Sequence, residues 1–211
     1  MEIKQWWDDN GVPRLINLAL SDKIVGIWRN RVLKHVTGDV VELGFGSGRS
    51  LPYYAESVTR VYAIEPSDIA WSKAADRIAA APFDVVRIGL DGARIALDEA
   101  SVQAVVSTWT MCTIPDLAGA LSEVKRVLRP GGSLHFVEHS LAPDKAVATA
   151  QRIIQPVWGP VVGGCHLNRD IPAEIVNSGL MMDRLRTSYA VKLWPGRPWA
   201  WFTVGAASKP G

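Results

Sequence analysis

Two acidic residues frame a glycine loop in this chain. Glu42 stands two positions before the first glycine in Val40-Val41-Glu42-Leu43-Gly44-Phe45-Gly46-Ser47-Gly48. Glu65 closes a second apolar run at Ala63-Ile64-Glu65-Pro66. Gly44 and Glu65 lie about 20 residues apart, the distance at which a nucleoside-binding α/β unit places the carboxylate that holds a ribose. Gly44, Gly46 and Gly48 alternate, and Arg49 stands where a dinucleotide fingerprint requires its third glycine. A pyrophosphate favours a bare helix N-terminus and no carboxylate nearby. Glu42 suits instead a nucleoside with a cationic tail, an ammonium or a sulfonium. The chemistry expected is binding of such a ligand across the carboxyl edge of a parallel sheet.

A second set of residues could act on a partner molecule. His139 ends the apolar run Phe136-Val137-Glu138-His139, at the sheet edge where ligands sit. It is a candidate general base, or a histidine bonded to a loop carbonyl. His166 lies in Cys165-His166-Leu167-Asn168-Arg169. That loop either closes over an acceptor or serves the structure alone. No metal is expected, because Cys165 and His166 are adjacent and a closed zinc site takes four ligands at workable spacing. Cys112 reads as a buried thiol rather than a nucleophile.

The elements that position these groups follow from periodicity. Residues 22–36 carry apolar positions at helical spacing, and Gly38 ends the helix. Strands are predicted over 39–43, 60–65, 84–88, 102–107 and 133–139. Helices are predicted over 67–80, 116–128, 142–157 and 172–177. Arg129-Pro130-Gly131-Gly132 marks a turn. Residues 181–189 and 200–206 pair as a final hairpin. Strands alternating with helices, rich in valine and isoleucine, define a doubly wound α/β sheet covered on both faces.

The bulk numbers exclude several classes. A chain of 211 residues with 48% hydrophobic and 21% charged residues fits one globular domain. A net charge of +2 argues against a nucleic-acid footprint. Two cysteines form no disulfide scaffold, so a cytoplasmic home is expected. No secretory signal and no bilayer-spanning run are expected, although the first helix could rest on a lipid surface. The chain has nine tryptophans, several near its two ends; they pack the core or form a greasy entrance.

At this point a resemblance becomes visible. The segments Glu42–Gly48, Ile64-Glu65-Pro66, Leu90-Asp91-Gly92-Ala93 and Glu123–Gly132 are similar to those of class I S-adenosylmethionine-dependent methyltransferases. Phe136–His139 and Gly164–Arg169 resemble a narrower group that includes microsomal alkyl-thiol methyltransferases. Quinone methyltransferases resemble the chain more distantly. The resemblance implies a Rossmann-like seven-stranded sheet, mostly parallel, with one antiparallel strand in the terminal hairpin. It implies one domain, with residues 1–37 as a helical lid on a core of residues 38–211. The cofactor implied is S-adenosyl-L-methionine, with S-adenosyl-L-homocysteine as product.

Carried over, Gly44, Phe45, Gly46 and Gly48 form the loop at the methionine moiety, and Glu42 lies near its ammonium. Glu65, followed by Pro66, accepts from the ribose hydroxyls. Asp91 and Gly92 hold the adenine, and Thr108 and Trp109 line the methyl-donor side. Trp7 or Trp28 walls an apolar acceptor pocket, with Cys165, Asn168 and Arg169 in the loop above. The acceptor expected is a small molecule, a thiol by resemblance. Lipid or quinone-ring methylation is the alternative acceptor class. A nicotinamide-dependent oxidoreductase and a non-catalytic S-adenosylmethionine-binding module are the readings from other classes. The microsomal relatives carry a membrane-anchoring N-terminus that this sequence does not show, so no membrane home is inferred, and the oligomeric state is not readable.

Overall fold

The computed structural model describes residues 11, 22–191 and 193–211. Trp6 and Trp7 lie outside them, as does most of the segment expected to form a lid. A helix, α1 (Asp22–Leu33), leads into β1 (Gly38–Leu43), a single turn at Leu51–Tyr53 and β2 (Val58–Ile64). Two short helices, α2 (Asp68–Ser72) and α3 (Ala75–Ala79), precede β3 (Asp84–Gly89) and β4 (Val102–Thr108). Then come α4 (Leu117–Val127), β5 (Leu128–His139), α5 (Lys145–Val161), α6 (Ile171–Asn177) and β6 (Met181–Tyr189). A turn at Trp194–Gly196 and α7 (Arg197–Ala200) lead into β7 (Trp201–Ser208).

The sheet has seven strands in the order β3-β2-β1-β4-β5-β7-β6. The first five in this order are parallel, and β7 runs antiparallel between β5 and β6. This is the doubly wound sheet the sequence implied, including the terminal hairpin.

Period-two alternation feeds two apolar layers. Val41, Val105 and Phe136 pack with α4 and α6 through Leu121, Val124, Ile171 and Ile175. Val40, Val106 and Val137 pack on the opposite face with Val25 and Leu33 of α1. That explains why the strands read as continuous apolar runs. Helix starts are held by side chains: Ser67 accepts from Ala70 N, Asp116 from Gly119 N and Asp170 from Ala173 N.

α1 stops at Leu33, short of the expected 36, α7 was not expected, and three further elements differ more markedly from the sequence expectation. The helix expected over 67–80 is broken into α2 and α3 at Lys73 and Ala74, where Ala74 is fully buried under the glycine loop. α5 runs on to Val161 through Pro156 and Pro160. The 129–132 turn survives inside β5 as a bulge: Leu128 pairs with Val102 and Ser133 with Ala104, so four residues oppose Gln103 alone. Gly131 takes a left-handed φ of 74° there, as the turn chemistry required. Among the described residues no helix is long and apolar enough to cross a membrane.

Candidate active site

Because β1 to β5 are parallel, their carboxyl ends share one edge. Sheet order then lays the expected residues out in a line. Asp91 follows β3, Glu65 follows β2, Gly44 follows β1, Trp109 follows β4 and His139 ends β5. Four inter-strand steps of about 4.8 Å make this row roughly 19 Å long. The strand order reverses between β1 and β4, the switch point where α/β sheets open a crevice.

The glycine loop is tied directly to the β2 carboxylate. Gly46 N donates to Glu65 Oε2 at 2.6 Å and Ser67 N to Oε1 at 2.8 Å. Arg87 holds the Glu65 carbonyl through Nε at 3.0 Å and Nη2 at 2.7 Å. Burial raises the Glu65 pKa, opposed by the two N–H donors and Arg87. Each carboxylate oxygen keeps further lone pairs, so hydroxyl donors can still be accepted. Gly44, Gly46 and Gly48 all have positive φ, at 64°, 59° and 70°. A Cβ at Gly44 would overlap the Thr110 side chain, whereas one at Gly46 would meet nothing nearer than Gly44 O at 3.9 Å. The loop therefore packs on the protein at Gly44 and faces open space at Gly46. Phe45 is buried and packs on Trp71 with ring centroids 5.3 Å apart, so it supports the loop from below. Pro66 is exposed.

Glu42 is 1% exposed, and Oε2 accepts from the Tyr54 hydroxyl at 3.0 Å. Oε1 has no hydrogen-bond partner among the described residues. Burial lifts the Glu42 pKa to about 7, against the pull of Ser50, Tyr54 and Arg29. A buried carboxylate oxygen with no donor is costly, and an incoming ammonium would satisfy it. Asp91 sits in an exposed turn, where Oδ1 accepts from Ala93 N at 2.9 Å. Gly92 backs onto Leu43 and Ile114, which places this turn beside the end of β1.

The backbone just past β4 is strained. Trp109 has φ 54°, a left-handed conformation that costs a non-glycine residue about 1–3 kcal/mol and gathers at functional sites. Its indole Nε1 is buried with no partner among the described residues. Thr108 beside it is buried. Phe202 of β7 gathers the neighbouring rings: its centroid is 5.7 Å from Trp28, 5.7 Å from Trp109 and 5.1 Å from His139. The structure thus brings Trp28 to the His139 end of the row, with Phe202 as the shared contact. Sequence reasoning missed Phe202, since only strand register shows that it faces His139.

Glu138 was also missed as a functional position. It is fully buried, and it accepts from Ser107 Oγ at 2.7 Å, Thr110 N at 3.0 Å, Met111 N at 3.1 Å and Cys112 N at 3.1 Å. It shapes the loop after β4. A lone glutamate inside an apolar strand was the available signal.

Arg169 staples the same loop by donating to Met111 O at 2.7 Å and Ile114 O at 2.9 Å. It acts here on protein carbonyls. His166 Nδ1 lies 3.3 Å from Cys112 O, and its backbone N donates to that carbonyl at 2.8 Å. Asn168 is half-buried nearby. His139 turns Nδ1 toward two thiols rather than a carbonyl, 4.0 Å from Cys112 Sγ and 3.8 Å from Cys165 Sγ. The sulfurs are 3.7 Å apart. This pairing of Cys165 with distant Cys112 and His139, instead of its neighbour His166, was not legible from spacing. Contact with Cys112, aided by His139, holds the Cys165 pKa well below the ordinary thiol value, while the same contact and burial push Cys112 up.

Comparison with known proteins identifies the class of the chain. A family profile described as "Methyltransferase domain" matches residues 41–136. Thiol S-methyltransferase TMT1B of Mus musculus is 31% identical over 181 residues, covering 82% of this chain and 70% of that protein. A phosphatidylethanolamine N-methyltransferase of Cereibacter sphaeroides is 29% identical, covering 58% of this chain and 62% of the relative. Among solved structures, an S-adenosylmethionine-dependent methyltransferase from Thermotoga maritima superposes with a TM-score of 0.68 at 16% identity, covering 99% of this chain and 100% of that one. The chain belongs to the class I S-adenosylmethionine-dependent methyltransferases. It is accordingly an enzyme whose cofactor is S-adenosylmethionine. The unpartnered Glu42 oxygen and the open face of Gly46 fit such a cofactor.

Proposed function

We propose that this methyltransferase acts on the thiol of a small apolar molecule. Glu42, Gly44, Gly46 and Gly48 hold the methionine moiety of the cofactor, Glu65 its ribose, and Asp91 and Gly92 its adenine. The cofactor supplies a methyl group on a cationic sulfur. The protein's task is then to bring the acceptor to about 3–3.5 Å in line with that methyl. Thr108 and Trp109 border the donor side, and Trp28, Phe202 and His139 wall the acceptor side.

The supporting observation is the aromatic cluster around His139 at the acceptor end of the row, taken with the thiol S-methyltransferase likeness over most of the chain. An apolar wall favours a greasy acceptor. A thiol, with an ordinary pKa of about 8.5, needs little help to ionise near neutral pH. Residues 1–37 are expected to cover the cofactor as a lid.

The test is release of S-adenosylhomocysteine with alkyl thiols, phenols, quinols and phosphatidylethanolamine vesicles offered side by side. Turnover with thiols above the others supports the reading. Turnover confined to the vesicles favours the lipid alternative, which the Cereibacter likeness keeps open.

A further inference from the structure

Cys112, His139 and Cys165 come from three separate segments: the loop after β4, the end of β5 and the loop after α5. Their ligand atoms form a triangle with sides of 3.7, 3.8 and 4.0 Å. A tetrahedral zinc ion has Zn–S near 2.3 Å and Zn–N of about 2.0–2.1 Å, which sets sulfurs about 3.8 Å apart and sulfur to nitrogen about 3.6 Å apart. The triangle therefore needs movements of only a few tenths of an ångström to close on such an ion.

The surroundings fix each ligand. Glu138 receives the Cys112 N–H at 3.1 Å, and His166 N binds the Cys112 carbonyl at 2.8 Å. Gln155 Nε2 donates to the Cys165 carbonyl at 3.0 Å, and Cys165 N bonds Val162 O at 3.2 Å. His139 is held by its register with Phe202. These bonds and the strand register hold the backbone of all three residues in place. Leu167, Trp158 and Trp199 form the dry side of the cluster. Among the described residues no fourth protein ligand joins the three. His139 is half-buried and ends β5 on the carboxyl edge, so it is the ligand nearest the crevice end of the row.

We propose that Cys112, His139 and Cys165 bind one zinc ion through two thiolates and an imidazole, leaving a fourth position for the thiol acceptor. Two sulfurs and a nitrogen are a soft donor set suited to zinc, and a three-ligand site with an exchangeable fourth position is the pattern of catalytic zinc. On binding, the acceptor's S–H bond breaks, a sulfur–zinc bond forms and the proton passes to solvent, so the acceptor is held as its thiolate. The fourth-ligand part rests on the thiol reading above. The ion itself does not.

The test uses the full chain, purified under reducing conditions, with Co2+ as the probe. One metal per chain, a thiolate-to-cobalt charge-transfer band and the visible bands of tetrahedral cobalt are expected. C112S and C165S should each weaken cobalt binding at least tenfold, with far-UV circular dichroism checking their fold. Adding an alkyl thiol to the wild-type cobalt form should shift its visible bands, a readout that needs no variant. Octahedral cobalt spectra, no bound metal, or a Cys112–Cys165 disulfide in place of metal would each overturn the site. Visible bands that ignore every thiol would overturn the fourth-ligand role. A cobalt form that responds to thiols, in a protein that methylates none of them, would sink the proposed function and leave the metal site standing.

Discussion

The two glutamates of the crevice are held in different ways. Glu65 has both oxygens on backbone N–H donors and lone pairs to spare. Glu65→Ala should weaken S-adenosylmethionine binding by about 1.5–3 kcal/mol, the size of a charged hydrogen bond; calorimetry on a variant with wild-type circular dichroism measures it. Glu42 is instead a standing cost to the empty protein. Its pKa rises from 4.5 to about 7, worth on the order of 3 kcal/mol. Below the lower value both folded and unfolded chains are protonated and the cost vanishes. Between the two, the unfolded chain ionises first, so stability falls as pH rises, and it levels off above the upper value. Urea denaturation should find Glu42→Gln more stable than the parent at about pH 8 and level with it near pH 4.5. The same variant should bind cofactor more weakly; a parent with flat stability across that window would contradict the assignment. Both acidic residues were legible, because a carboxylate beside a glycine loop or at a strand end is visible in one dimension. Glu138, Phe202 and the Cys112–His139–Cys165 triangle were not, because each depends on register or on loops that meet only after folding.

The glycine loop separates structural from binding demands within a few residues. Gly44 and Gly46 share a left-handed backbone, so alanine at either carries a conformational cost of about 1–2 kcal/mol. Only Gly44 also faces Thr110. Gly44→Ala should therefore lose thermal stability well beyond that conformational cost. Gly46→Ala should lose little more than the strain while losing cofactor affinity at least tenfold. Differential scanning calorimetry with and without S-adenosylmethionine distinguishes the two; equal behaviour of the pair would refute the division. Strands were read from sequence to within about two residues except at the start of β5, which the 129–132 turn hid, since valine and isoleucine runs under two apolar layers leave little ambiguity. Helix detail was harder. The α2–α3 break at Ala74 answers to the loop packed above it, and α7 is a short proline-led turn with no periodicity to read.

At the scale of the molecule, β7 is the strand that completes the sheet. It pairs with β5 over Ser133–His139 and with β6 along its whole length. It also carries Phe202, the contact shared by Trp28, Trp109 and His139. Removing residues 201–211 should abolish cooperative unfolding, because β6 then has no neighbour and β5 becomes an open edge. Thermal circular dichroism would report this, and a retained sharp transition would show that the five parallel strands stand alone. Lys209, just past β7, donates from Nζ to Leu128 O at 2.8 Å and clamps the end of the pairing. The strand order also has a consequence during synthesis. β6 leaves the ribosome before β7 yet lies outside it, so it must wait, unpaired, for the last strand to be translated. A nascent chain paused before Trp201 therefore presents the uncovered edge of β5 to chaperones or to neighbouring copies, and production of this protein should be more sensitive to delays late in translation than early.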